Sequence, residues 1–120
     1  MHVISKKALR DFWEDPKHPN AEEPLSDWFD VVVKAEWHHF ADVKKTFNSA
    51  DKVGSKTVFD VGGNHYRIIA FIDYQRQQIY IRAVLDHKEY DKGNWKDDPF
   101  GDDWKPFKKM MLDNKNGKKP

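Results

Sequence analysis

Residues 58–92 run VFDVGGNHYRIIAFIDYQRQQIYIRAVLDHKEYDK, and their pattern decides the fold. Residues 57–61 are β-branched and aromatic, as strands are. Gly62 and Gly63 make a turn into a long strand over about residues 64–73. Residues 74–77 form the next turn, and residues 79–85 the last clear strand. Side chains alternate across a strand, so Ile79, Ile81, Ala83 and Leu85 share one face, and Tyr80, Arg82 and Val84 the other. In the preceding strand Ile68, Ala70 and Ile72 form the apolar set, which leaves Arg67 opposite with Ile69 and Phe71. With helices over the isoleucine faces, Arg67 and Arg82 are expected on one open side of the sheet.

The chain before this stretch is helical in pattern. Residues 2–4 suit a short first strand, and Ser5 suits a helix N-cap. Ala8, Leu9, Phe12 and Trp13 recur at the spacing of one helical face, which predicts a helix over residues 6–14. Pro16 and Pro19 end it and bracket a loop. A second helix is expected over about residues 22–37, with Leu25, Trp28, Phe29, Val32 and Ala35 buried and Pro24 in its first turn. A third helical turn is expected over residues 42–47. Helices first and hairpin-linked strands later predict an α+β domain: a small antiparallel sheet with the N-terminal helices packed on it.

After Lys92 the composition shifts, so we divide the chain into a domain over residues 1–92 and an extension over 93–120. Trp104, Phe107, Met110 and Met111 fit one short amphipathic helix, and the residues from Asn114 have the composition of a disordered end. Docking of that helix on the domain is the favoured expectation, a partner-binding role the other.

Composition narrows the function. The chain has 120 residues, enough for one modest core, and 8 Phe, 5 Trp and 4 Tyr supply bulky material for it. The absence of cysteine excludes a disulfide framework, a thiolate zinc site and a cysteine nucleophile. No window approaches the ~20 apolar residues that span a bilayer. With no secretory leader pattern either, a cytoplasmic protein with no membrane partner is expected. A net charge of +1 means that any basic site must be local.

One local cluster stands out. The last strand runs straight into His87, Lys88, Glu89, Tyr90, Asp91 and Lys92. Strand arginines beside a His/Tyr/Lys cluster are what phosphodiester chemistry without a metal requires: cations for the phosphate, and proton donors and acceptors. Each residue also has a plainer reading. Strand arginines are often surface or ion-pair residues, a strand-end histidine is often a hydrogen-bonding group, and a tyrosine can simply cap a core.

The chain also resembles the HigB family of bacterial toxins, within the RelE-like group of type II toxin–antitoxin systems. The resemblance is carried by MHVISKKALRDFWE at residues 1–14, AEEPLSDWF at 21–29, ADVKKTF at 41–47, VFDVGGNHYRIIAFIDY at 58–74 and IYIRAVLDHKEYDK at 79–92. It implies a RelE-like fold and an mRNA endoribonuclease acting on messages engaged by the ribosome. It also implies inhibition by a cognate helix-turn-helix antitoxin of the HigA kind, with no cofactor and no metal. The family-like polar positions retained here are Asn64, Arg67, Arg82, His87, Tyr90 and Lys92. The chain departs from the family in its long extension after Lys92 and its weak net basicity.

RNA can be cleaved by its own 2′-hydroxyl, so the enzyme need supply only a base, an acid and cations around the phosphorus. On this reading Arg82 is the main phosphate contact with Arg67 beside it, since arginine stays charged and offers a planar fork. His87 is the preferred acid or base. Tyr90 stacks on a base or shares the proton transfer, Lys92 and Lys88 add positive charge, and Asn64 orients the hairpin or contacts RNA. The other reading is a non-catalytic module that binds RNA or antitoxin through the same fold. Direct DNA binding is not expected except through the antitoxin, since no basic recognition helix is present. His38, His39 and Glu36 lack the spacing of a zinc site, and Asp97, Asp98, Asp102 and Asp103 lack that of an EF-hand.

Overall fold

The computed structural model describes residues 1–63 and 65–97. Asn64 and the expected helix around Trp104–Met111 lie outside the described residues. The described elements are β1 His2–Ile4, α1 Lys6–Trp13, α2 Glu22–Lys34, α3 Phe40–Thr46, β2 Asp51–Val53, β3 Lys56–Val61, β4 Tyr66–Asp73, β5 Gln78–Asp86 and α4 His87–Asp91. A 3-10 turn, Asn94–Asp97, follows.

The strands form one sheet in the order β1-β5-β4-β3-β2. β2 to β5 are antiparallel, but β1 lies parallel to β5, with Val3 opposite Ile79, so the sheet is mixed and not purely antiparallel. The parallel pairing follows from α1 and α2: the chain leaves β1, crosses one face as helices and returns through the β2–β5 meander. β2 is absent from the sequence pattern because Asp51 and Lys52 are poor strand formers; it exists as the outer arm of a hairpin turning at Gly54.

The core lies between the helices and one face of the sheet. Leu9, Leu25, Trp28 and Val32 from the helices meet Phe59, Ile68, Ala70, Ile72 and Ile79 from the strands. Phe59 is its hub, with ring centroids of Trp28 at 5.2 Å, Phe47 at 5.4 Å and Trp37 at 6.2 Å. α2 stops at Lys34 and not near Trp37, because Ala35 turns the backbone extended. Trp37 is buried by its own route, its Nε1 donating to Thr46 Oγ1 at 3.0 Å. Ser5 takes the expected cap position of α1, but its hydroxyl makes no capping bond.

One irregularity revises the face assignment. Ala83 opposes Ile69 while Ile81 opposes Ala70, so Arg82 is an extra residue in β5, a β-bulge. Alternation reverses across it. Val84 joins the core side opposite Ile68, whereas Ala83 and Leu85 fall on the Arg67 face. That face is not an open one either: Val58 and Ile69, opposite each other on β3 and β4, are buried, and so is Arg67.

Candidate active site

The site grows from the end of β5. Asp86 ends the strand and caps α4, its carboxylate accepting the Glu89 backbone N–H at 2.8 Å. The Asp86…Glu89 spacing is a capping signal, and it turns the expected polar cluster into one helical turn. On that turn His87 and Asp91 stand four apart, and His87 Nδ1 lies 2.7 Å from Asp91 Oδ2. Asp91 was not among the expected site residues, although i,i+4 spacing is the signal that finds it. With Nδ1 engaged, Nε2 is the nitrogen left to exchange a proton with a substrate. Both side chains are more than half exposed.

Tyr90 projects from the same turn over the sheet. Its ring lies 4.9 Å from the Arg67 guanidinium carbon and also stacks on Trp95 at 5.2 Å and 12°. Trp95 Nε1 donates to the Tyr90 carbonyl at 3.0 Å, which holds the stack in place. Burial pushes the Tyr90 hydroxyl pKa up, against the opposing pull of the Arg67 charge. The phenol therefore stays protonated at neutral pH and can donate.

Arg67 is committed within the protein. Its Nε pairs with Asp60, the residue opposite it on β3, at 2.8 Å, and its NH1 donates to the Tyr66 carbonyl at 3.2 Å. Its side chain is 10 % exposed. The register sets Arg67 opposite Leu85, three residues along β5 from Arg82, or roughly 10 Å at ~3.3 Å per residue. The two arginines are therefore not a cross-strand pair. Lys92 bonds to Glu89 at 2.9 Å, and that carboxylate holds the ammonium pKa up.

His87 and Lys88 open onto a shallow cleft of about 300 Å³. Its other walls are Lys17 and His18 from the loop after α1, and His65 and Tyr66 from the start of β4. The His87 backbone N–H donates to the His65 carbonyl at 3.1 Å, tying α4 to the β3–β4 turn. A larger depression of about 710 Å³ lies over the start of α2. Glu22, Glu23 and Asp27 line it, so its charge repels a phosphate and its size does not make it the site. Lys17, His18 and His65 were invisible to sequence reasoning because nothing in the pattern pairs the first loop with the β3–β4 turn. Among the described residues, no group of three or more His, Asp or Glu is placed to hold a metal ion.

Comparison with known proteins converges on one family. The family model described as HigB toxin, the RelE-like toxic component of a toxin–antitoxin system, matches residues 21–93. The mRNA interferase toxin HigB of Escherichia coli K12 is 36 % identical over 94 residues, covering 76 % of this chain and 88 % of that protein. An mRNA interferase HigB of Shigella flexneri matches to the same extent. A further one, from Escherichia coli O6:H1, is 28 % identical over 95 residues, 77 % of this chain and 90 % of its own. The mixed sheet, its helical cover and the extent of these matches agree: the chain belongs to the HigB family of RelE-like toxins of toxin–antitoxin systems.

Proposed function

We propose that this protein is an mRNA endoribonuclease that cleaves messages on the ribosome, using the RNA 2′-hydroxyl as nucleophile and no metal. The observation that carries the reading is the His87–Asp91 pair, 2.7 Å apart and facing solvent, on the same helical turn as a protonated Tyr90. His87 Nε2 takes the proton from the 2′-hydroxyl. The 2′-oxygen attacks phosphorus, the P–O5′ bond breaks, and the leaving 5′-oxygen takes a proton from the Tyr90 hydroxyl. The products are a 2′,3′-cyclic phosphate and a free 5′-hydroxyl. His87 and Tyr90 stand three apart on α4, which brings both to one face of the turn.

Arg82 is assigned the phosphate and its developing charge. Bulges re-aim side chains next to active sites, and Arg82 is the bulged residue. Arg67 acts through Tyr90, which it holds from beneath. Lys88 and Lys92 add local positive charge, and Asn64 is assigned an RNA contact. A net charge of +1 gives weak affinity for free RNA, which supports presentation of the substrate by the ribosome. The toxin family supplies the partner: an antitoxin, which we assign to the helix-turn-helix HigA kind. The place of action on this reading is the cytoplasm.

The test maps mRNA 5′ ends by primer extension in a bacterial cell-free translation reaction, with wild-type protein, Arg82→Ala and a translation-blocked control. New ends within reading frames, absent from both the variant and the blocked control, support the reading. Ends that persist under the block make the protein a free ribonuclease. No ends from folded wild type favour a non-catalytic module that binds RNA or antitoxin.

A further inference from the structure

The cleft beside His87 carries more chemistry than proton transfer needs. Lys17 and Lys88 stand on its walls, together with three imidazoles from separate parts of the chain, His18, His65 and His87. Among the described residues Asp86 is the one acidic side chain that lines it, and its carboxylate caps α4. Two lysines against one carboxylate leave the lining net positive in a protein whose net charge is only +1.

Its walls are also built firmly. The first loop is fastened by the Lys17 backbone N–H on Asp15 Oδ1 at 2.9 Å and by the His18 N–H on the Asp15 carbonyl at 2.9 Å. The His18 ring stacks on Phe12 at 3.9 Å and 8°, and both rings meet Tyr66 edge-on. Phe12 belongs to the amphipathic face of α1, so the stack anchors the loop to the core.

We infer that this cleft is a nucleotide subsite, binding the RNA residue that flanks the cleaved phosphate. The inference rests on the proposed ribonuclease reading for its link to His87. Lys17 and Lys88 pair with the flanking phosphate. The unstacked base lies against the His18 and Tyr66 rings, and His65 hydrogen-bonds its edge. Unstacked bases held by aromatic and imidazole rings, with lysines on the backbone, are the ordinary chemistry of single-stranded RNA recognition. A cleft of about 300 Å³ is at the small end of ligand pockets, the size for one nucleotide and not for a folded RNA element.

The experiment is an NMR titration of the full chain with a 2′-O-methyl dinucleoside monophosphate, which cannot be cleaved, following the histidine ring protons. The expected result is a saturable shift of His18, His65 and His87 together, with His38 and His39 unmoved. Lys17→Ala and His65→Ala, at exposed positions, should each weaken the apparent affinity about 5-fold or more. In the translation reaction they should raise KM with kcat nearly unchanged. Movement of His87 alone overturns the subsite and leaves the ribonuclease reading standing. Movement of no histidine, or of His38 and His39 equally, also overturns it, and 5′-end mapping then judges the ribonuclease reading separately. Shifts produced by an acidic peptide but not by the dinucleotide assign the cleft to a protein partner and overturn it as well.

Discussion

The Arg67 guanidinium lies 4.9 Å from the centre of the Tyr90 ring, so a strand cation and a helix phenol form one unit at the edge of the sheet. A cation against a ring face contributes about 0.5–2 kcal/mol depending on desolvation, and Arg67 is largely desolvated. The contact fixes where the phenol points. Tyr90→Phe keeps the ring, the stack on Trp95 and the cation beneath it, and removes only the hydroxyl. Cleavage should fall about 100-fold or more with unchanged thermal stability, as loss of a general acid predicts. Because burial raises the Tyr90 pKa above its ordinary 10.0, no phenolate limb should appear in the pH–rate profile below that value. Stability has the same sign. The neutral phenol is favoured in the folded state, so its contribution is whole below pH 10.0 and is lost as pH rises through the folded pKa. A Tyr90→Phe protein that cleaves normally would remove the phenol from the chemistry.

Beneath that unit, Asp60 holds Arg67 at 2.8 Å in a poorly exposed position. Breaking such a pair from one side is costly, whereas replacing both partners by apolar groups can be nearly neutral. Asp60→Ala should destabilise the protein by up to about 3 kcal/mol in urea unfolding, and an Asp60→Leu, Arg67→Met double variant should recover most of that. The double variant should nevertheless cleave poorly, because Tyr90 has lost its support. Full cleavage by the stable double variant would show that the pair serves folding alone.

His87 and Asp91 make a prediction of a different form, since residues that act as one unit are not additive. Asp91→Asn should lower cleavage about 10-fold or more while leaving the melting temperature unchanged, because both side chains are exposed. His87→Ala should be worse, and His87→Ala with Asp91→Asn no worse than His87→Ala alone. Additive losses in that cycle, measured as kcat/KM on one message, would mean that Asp91 acts independently of His87.

The fold was largely legible in the chain because its signals are local. The stripe of Leu25, Trp28 and Val32, the Gly-Gly turn and the alternation of Ile68, Ala70 and Ile72 each need only a few residues of context. What escaped depends on neighbours. The parallel seat of β1 against β5 is a long-range pairing of three residues. β2 carries no apolar pattern of its own and is set by its partner β3. The bulge at Arg82 adds a residue without leaving a mark in composition, yet it moves Val84 to the core and Leu85 away from it. For the candidate site, sequence reading singled out the segment that folds as α4. It did not single out the Asp60 partner of Arg67 or the Asp91 partner of His87, because ion pairing depends on register and helical phase in the folded chain. The loop that brings Lys17 and His18 to the cleft is separated from His87 by most of the domain.

The Gly-Gly turn connects fold to site, and its two glycines should behave differently. Gly62 and Gly63 both have positive φ, 64° and 61°, so a side chain at either is strained by roughly 1–2 kcal/mol. Their surroundings differ. A Cβ on Gly62 would stand 3.2 Å from Tyr66 Cδ2 and 3.4 Å from the Pro24 ring, whereas one on Gly63 meets nothing within 4 Å. Tyr66 lines the cleft, so the Gly62 contact presses on a wall of the site and on the first turn of α2 together. Gly63→Ala should cost only the backbone strain in urea unfolding and leave cleavage nearly intact. Gly62→Ala should cost more and also raise KM, through displacement of Tyr66. Equal losses of stability from the two substitutions, with unchanged KM, would mean that the turn tolerates a methyl group at Gly62 and does not set the position of Tyr66.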